Sequence, residues 1–298
     1  MVGGENMGNK TIGYKVFTVI NNIVMFFLVL TMLYPFVYVA LASFSDSNAL
    51  MGHIGFLIKP LKPTLTAYKM VFSNRMILSG YINTMIVLVL GLLVNMVMTI
   101  LASYVLSRKN FAMGNALMFF IVVTMFFNGG LIPTYLTVEE LGLTNSLWAL
   151  IIPTAMSASN MIIMRTSFAS IPDSLIESAT LDGASNMCVL INIVLPLSKA
   201  VLAVIVLYYA VGIWNAWFNA MIYLRDRAKF PLQLILREIL LENNSNDVAM
   251  NVDTGDAAVV RETMQYALIM VATVPILCIY PFVQKFFVKG VMIGAVKG

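Results

Sequence analysis

Six long stretches of this chain are so nearly free of charge that no ordinary water-soluble fold can absorb them all. They run approximately over Val16–Ala42, Ile82–Leu106, Met113–Leu131, Ser146–Met164, Leu195–Phe218 and Met264–Val283. Each approaches or exceeds the roughly 20 residues that an α-helix needs to cross a hydrocarbon core about 30 Å thick. Only 11% of the 298 residues are charged, and the 18 basic and 14 acidic side chains gather mainly between these runs. That segregation is expected where lipid is the solvent. Because lipid offers no partner to a backbone N–H or C=O, the reading is an all-α polytopic membrane protein with six transmembrane helices. Ala40-Leu41-Ala42 looks like a signal-peptidase site. The apolar run before it is longer than the roughly 7–15 residues of a signal core, so an uncleaved first helix is expected.

An even number of spans puts both termini on one side. Ser107-Arg108-Lys109-Asn110, the leader with Lys10 and Lys15, and the tail with Lys285, Lys289 and Lys297 carry basic charge without nearby acid. The positive-inside bias makes these segments cytoplasmic. The expected plan is a leader over 1–15, a single transmembrane domain over 16–284 and a tail over 285–298. Outside loops fall at about 43–81, 132–145 and 219–263, and one sizeable inside connector falls at about 165–194. The net charge of +4 is explained by cytoplasmic loops, since no basic stripe suited to nucleic acid occurs. Cys188 and Cys278 lie far apart in apolar settings and read as small core residues.

The inside connector contains Ser170-Ile171-Pro172-Asp173-Ser174-Leu175-Ile176-Glu177-Ser178-Ala179-Thr180-Leu181-Asp182-Gly183-Ala184. Ser170 with Asp173 has capping-box spacing, Pro172 suits a first helical position, and Asp182-Gly183 is a natural stop. Leu175, Ile176 and Ala179 share a helical face. A second short helix is expected to follow, ending where Pro196 opens the next span. Helices that rest on lipid headgroups are usually rich in Lys and Arg. This segment carries acids and no base between Ser167 and Ser198, which points to a basic protein partner for Glu177.

Glu177-Ser178-Ala179, then Asp182-Gly183-Ala184, then Ile193-Val194-Leu195-Pro196 resembles the EAA loop of type I ABC importer permeases. Ser178 stands where that family has Ala, and Ala200 where a further Pro is common. Asn128-Gly129-Gly130-Leu131-Ile132-Pro133-Thr134-Tyr135, Leu141-Gly142-Leu143 and Trp148-Ala149-Leu150 are similar to a loop of carbohydrate-uptake permeases. The ending from Gln284 to Gly298 resembles that of the maltose-type second permease, in the oligosaccharide and polysaccharide branch that includes alginate-like permeases. The resemblance implies import of an oligosaccharide, with acidic, uronate-containing oligomers within the range of that branch, by an assembly with a second permease, two cytoplasmic ATPases and an extracytoplasmic solute-binding protein. It implies that Glu177, Ser178, Ala179, Asp182, Gly183, Ala184, Leu195 and Pro196 couple the chain to the ATPase. No cofactor belongs to this chain, because ATP and Mg would sit on the partner subunits.

Polar side chains within the spans are the candidates for a substrate path. Asn95 and Thr99 stand with Ser103 on one helical stripe, Ser157 and Asn160 lie near Met161, and Tyr208, Tyr209, Trp214, Asn215, Trp217 and Asn219 crowd the fifth run. Aromatic faces and amides suit sugars, but polar residues also join helices and aromatics also anchor at interfaces. An ion-coupled secondary transporter would need intramembrane ionisable groups and interrupted repeats, and a membrane enzyme would need a convergent catalytic set. Neither pattern is clear in the sequence. His53, the sole histidine, has no metal-ligand spacing around it.

Overall fold

The computed structural model describes residues 12–241 and 263–278, and every regular element among them is a helix. They form two compact units, 12–71 with 263–270 and 72–241 with 271–278.

The first unit is dominated by α1 (Ile12–Ser43), 32 residues long and continuous through Pro35. Thr18 and Thr31 donate their hydroxyls to the carbonyls of Tyr14 and Phe27, four residues back, so these polar groups are satisfied inside the helix. Beyond it, α2 (Ser47–Met51) is capped by Asp46, whose carboxylate accepts from Ala49 N–H at 3.1 Å. α3 (Thr66–Ser73) follows. Ala42, Leu50 and Leu57 make a small core beside Tyr38, Leu41, Leu61 and Tyr266. Tyr266 stands on the last described helix, α14 (Thr263–Cys278). The expected 43–81 loop is therefore largely structured.

The second unit is organised around α4 (Arg75–Ser107), 33 residues long and capped by Asn74. It covers the predicted second span and begins seven positions before it. The third predicted span ends at a break: α5 (Gly114–Phe126) meets α6 (Leu131–Glu140), which falls almost wholly in the predicted 132–145 loop, at 115°. Thirteen residues reach only about 20 Å, too short to cross a bilayer unaided. The break lies at Asn128-Gly129-Gly130, where the Asn128 side chain accepts from Gly130 N–H at 3.0 Å and Gly130 takes φ 91°, a region that favours glycine. The 132–145 loop is thus mostly helix.

The fourth predicted span also breaks. α7 (Trp148–Ile151) runs into a tight 3₁₀ turn at Ile152–Thr154 containing Pro153, and α8 (Ala158–Ala169) restarts after Ser157 caps it. The connector holds α9 (Asp173–Leu181) and α10 (Asn186–Leu197). α10 contains a π turn at Leu190–Val194 immediately before Leu195 and Pro196, whose ring and missing N–H disturb the preceding carbonyls. Leu195 and Pro196 close α10 and do not open the fifth span. That span starts at Lys199, the charge inside the fifth apolar run, as α11 (Lys199–Asn215), bent 85° from α10.

The predicted 219–263 loop is corrected over its first half. α12 (Phe218–Tyr223) and α13 (Leu232–Leu241) occupy it, and Leu232, Leu234, Ile235 and Ile239 are buried. Apolar residues on one face of a ten-residue helix drive it against α4. Gly80 permits the approach: a Cβ there would lie 2.5 Å from Ile235 Cδ1 and 3.3 Å from the Leu232 backbone. Thr84 Oγ1 accepts from Leu232 N–H at 2.9 Å, and Asn83 donates to the carbonyls of Ala228 and Phe230. The polar run from Glu242 to Asp247 and the ending from Gln284 to Gly298 lie outside the described residues.

Among the described residues two helices, α1 and α4, are each long and apolar enough to cross a membrane. The bent pairs α5–α6 and α10–α11 pass the same test jointly. Cys188 and Cys278, expected in the core, are both exposed: Cys188 lies on the outer face of α10 and Cys278 ends the described part of α14.

Candidate functional site

α9 ends in a closed turn. Ala184 N–H donates to Ala179 O at 2.9 Å and Gly183 N–H to Thr180 O at 3.0 Å, the paired bonds of a Schellman stop. Gly183 adopts φ +85°, which costs a residue with a Cβ about 1–2 kcal/mol, and no heavy atom of the chain lies within 4 Å of where a Cβ would stand. The start differs from expectation. Pro172 is the cap residue, and Ser170 donates its hydroxyl to Ser167 O, so no capping box forms.

Two faces separate on this turn. Ile171, Ile176, Ala179 and Ala184 pack inward on a cluster of Tyr104, Met164, Phe168, Val189, Leu190, Val194, Ile205 and Tyr209. That cluster belongs to the last turns of α4 and α8 and to the middle of α10 and α11. Outward stand Glu177, Ser178, Asp182 and Leu181, the last 88% exposed. Leu175, expected on the inner face, is exposed as well.

A basic neighbour does reach the helix from within the chain. Lys109 Nζ, in the connector after α4, donates to Asp173 Oδ2 at 2.6 Å. This contact, from 64 residues away, was invisible in the local charge count. The hydrogen bond and charge of Asp173 raise the Lys109 pKa, with Glu177 adding to it, and Lys109 lowers that of Asp173. Arg108 lies over the Tyr104 ring, 4.9 Å from its centroid. Arg165 Nε donates to Leu106 O at 2.7 Å, a cation meeting the carbonyl end of α4.

Away from this turn, a cavity of about 500 Å³ opens among α4, α7, α8, α11 and α12. Asn95, Ser157, Asn160, Tyr208 and Asn219 line it together with Thr84, Pro153, Thr154, Met156, Gly212 and Ala216. Asn95 is 2% exposed and its Oδ1 has no hydrogen-bond partner within the described residues. Beside the cavity the Tyr209 hydroxyl joins three helices: it contacts Thr99 Oγ1 at 2.7 Å and accepts from Ser157 N–H at 2.9 Å. Ser103 donates to Met161 O at 3.0 Å. No group of three or more His, Cys, Asp or Glu placed to hold a metal occurs among the described residues.

The chain is 41% identical over 264 residues to the polygalacturonan/rhamnogalacturonan transport system permease protein YtcP of Bacillus subtilis, covering 89% of this chain and 92% of that protein. It is 43% identical over 265 residues to the protein LplC of the same organism, covering 89% of each. A solved structure, of a bacterial ABC transporter that imports the acidic polysaccharide alginate, superposes with a TM-score of 0.87 at 31% identity, over 94% of this chain and all of that one. No family model matches. The chain belongs to the permease subunits of carbohydrate ABC importers. As such it is a transport subunit without catalytic activity of its own.

Within this permease the predicted path residues divide. Asn95, Ser157, Asn160, Tyr208 and Asn219 converge on the cavity; four others do not. Thr99 is fully buried and serves as a hydrogen-bond partner of Tyr209. Trp214 packs edge-on to Tyr81 and donates to Ala272 O at 3.2 Å, and Asn215 donates back to Val211 O within its own helix. Trp217 lies under Arg237, whose guanidinium is 4.2 Å from a ring centroid of the indole. The cavity also uses Gly212 and Ala216, which composition alone does not mark. Their signal is the spacing Tyr208, Gly212, Ala216, which follows one face of α11 to its end.

Proposed function

We propose that this permease carries an oligosaccharide containing uronate units across the cytoplasmic membrane, with α9 as the element that docks into a cytoplasmic ATPase. A second permease subunit, two ATPases holding ATP and Mg, and an extracytoplasmic solute-binding protein complete the assembly. The six spans in this reading are α1, α4, α5 with the non-helical residues 127–130 that follow it, the α7–α8 stretch, α11 and α14, with both termini cytoplasmic. The acidic substrate is supported by the galacturonan-type cargo named for YtcP and the alginate named for the solved importer.

The observation that carries the coupling role is the division of α9 into two faces. Its inner face is keyed into the last turns of α4 and α8 and the middle of α11, so a displacement of α9 has a packed route to the helices around the cavity. Its outer face offers Glu177, Ser178, Asp182, Gly183 and an exposed Leu181 to a partner. Ala179 and Ala184 hold the turn closed, and Leu195 with Pro196 sets the bend into α11. The Lys109–Asp173 pair favours one side for both connectors, since it joins two segments read as cytoplasmic. Asn95, Ser157, Asn160, Tyr208 and Asn219 are the residues that meet the sugar: amides and hydroxyls exchange hydrogen bonds with its hydroxyls and the Tyr208 ring takes an apolar face. Asn95, already desolvated and with an open acceptor, is the best placed.

Reconstitution of the permease with its ATPase and binding protein tests both parts. Glu177→Ala should assemble yet lose substrate-stimulated ATP hydrolysis by more than about tenfold, as expected for truncating a desolvated charge pair. Asn95→Leu should keep basal hydrolysis and lose uptake of galacturonate oligomers. Full uptake by either variant, or uptake of neutral oligomers alone by the wild type, would contradict the corresponding part.

A further inference from the structure

After α2 the chain comes back down the side of α1 and then climbs out. Leu57 N–H donates to the Tyr34 hydroxyl at 3.0 Å, and the Phe56 ring meets the Tyr34 ring edge-on with centroids 5.3 Å apart. α1 ends at Ser43, so Tyr34 lies roughly nine residues, or about 13 Å of helix axis, short of that end. Leu61 is back at the end: its N–H donates to Ser45 Oγ at 3.0 Å and its carbonyl accepts from Asp46 N–H at 2.9 Å. Gly55 turns the descending strand with φ +118°, a conformation that strains any L side chain.

Alternation then sorts the side chains. Leu57 faces inward and is 1% exposed, whereas Ile54, Phe56 and Ile58 are 97%, 78% and 85% exposed. Between this segment and α1 lies an apolar groove of about 510 Å³, lined by Tyr34, Pro35, Tyr38, Val39, Gly55 and Phe56. Pro35, Phe36 and Val37 beside the groove are exposed, so it opens outward from the chain. The apolar run Val16–Ala42 extends about 40 Å; centred on a hydrocarbon core of about 30 Å, it sets Tyr38 near the boundary where Tyr is enriched and Tyr34 about 7 Å inside it. Lys59 and Lys62, both exposed, follow directly on the climb, at the height of phosphates.

We propose that residues 54–58 insert into the bilayer leaflet at the C-terminal end of α1, and that the groove against α1 holds a phospholipid acyl chain. The placement rests on α1 being a membrane span. Ile54, Phe56 and Ile58 sit among acyl chains, Lys59 and Lys62 meet the phosphates, and Tyr34 fixes the depth by holding the Leu57 backbone.

Spin-label accessibility in the complete importer, reconstituted into phosphatidylethanolamine and phosphatidylglycerol bilayers, tests this. In a C188S/C278S background, I54C, F56C, I58C and V39C are labelled singly and their collisions with oxygen and with a water-soluble nickel chelate are compared. Oxygen should exceed the chelate severalfold at all four sites, V39C reporting the groove. Chelate access at 54, 56 and 58 would place the segment in water and overturn the proposal. Low access to both reagents would mean another subunit covers it, and loss of chelate access only on adding the binding protein would mean that protein does; either result overturns it too. F26C, mid-way along α1, separates the two layers of the argument: chelate access there would remove the span itself.

Discussion

The α9 turn and the cavity solve opposite problems. The turn presents its groups outward from nine helical residues, and its shape is closed by two backbone bonds and one glycine conformation. The cavity gathers its polar groups from four helices and the turn before α8, and its shape depends on helix breaks at Pro153 and Ser157 and on close packing through Gly91, where a Cβ would lie 3.1 Å from Ile213 Cδ1. A local device fails through a single residue. A distributed one is weakened gradually, because each helix contributes one or two contacts and membrane hydrogen bonds average about 0.6 kcal/mol.

The largest effect should come from the turn. Gly183→Asp adds about 1–2 kcal/mol of backbone strain and a second charge beside Asp182, and substrate-stimulated ATP hydrolysis should fall by more than about tenfold in a complex that still assembles. Gly183→Asn sharpens the point, since Asn tolerates this conformation. If the turn is needed only for its shape, Asn restores hydrolysis; if the docking surface needs the space that is open around Gly183, Asn fails like Asp.

A middle-sized effect is expected at Tyr209→Phe. It leaves the buried Thr99 hydroxyl and the Ser157 N–H without their shared partner, worth about 1–3 kcal/mol if neither finds another. Uptake should fall several-fold while ATPase binding, measured by co-purification, stays intact. Gly80→Val should cost about 1–3 kcal/mol by overpacking α13 against α4, read as a lower melting temperature of the purified complex with little change in coupling.

The smallest effect belongs to the Lys109–Asp173 pair, which is largely exposed. Because Asp173 is held below its ordinary 3.8, its contribution is present above that value and disappears as pH falls through the lowered one. Because Lys109 is raised above 10.5, its contribution is complete below that value and is lost as pH rises through the raised one. Lys109→Ala should therefore change hydrolysis by no more than about twofold near neutral pH, with the difference shrinking further in high salt.

The same contrast explains what sequence reasoning reached. The stop at Asp182-Gly183, the inward Ile176 and Ala179, and the outward Glu177 follow from neighbours within one turn, so they were legible. α1 and α4 were legible because an uninterrupted apolar run leaves few alternatives. The bend at Ser198 is not legible because hydropathy does not register a change of direction within apolar sequence, and for the same reason the helix α6 after the turn at Gly130 reads as a loop. α13 is hidden in the sequence because Arg237 and Glu238 within it and the polar run after Leu241 mask its apolar face. By residue type Trp214 and Trp217 fit a sugar contact or an interfacial anchor equally, and only tertiary packing separates them from Tyr208, which lines the cavity.

The central claim is that the outer face of α9 meets the ATPase. Its most direct test is a photo-crosslinker placed at Ser178, exposed and pointing away from the packed face, and irradiated in membranes containing the intact importer. The account predicts a covalent product between the permease and the ATPase subunit, abolished by competition with a complex lacking that crosslinker only when the ATPase is limiting. A crosslinked product with phospholipid, and none with the ATPase, would contradict it and make α9 a helix resting on the membrane.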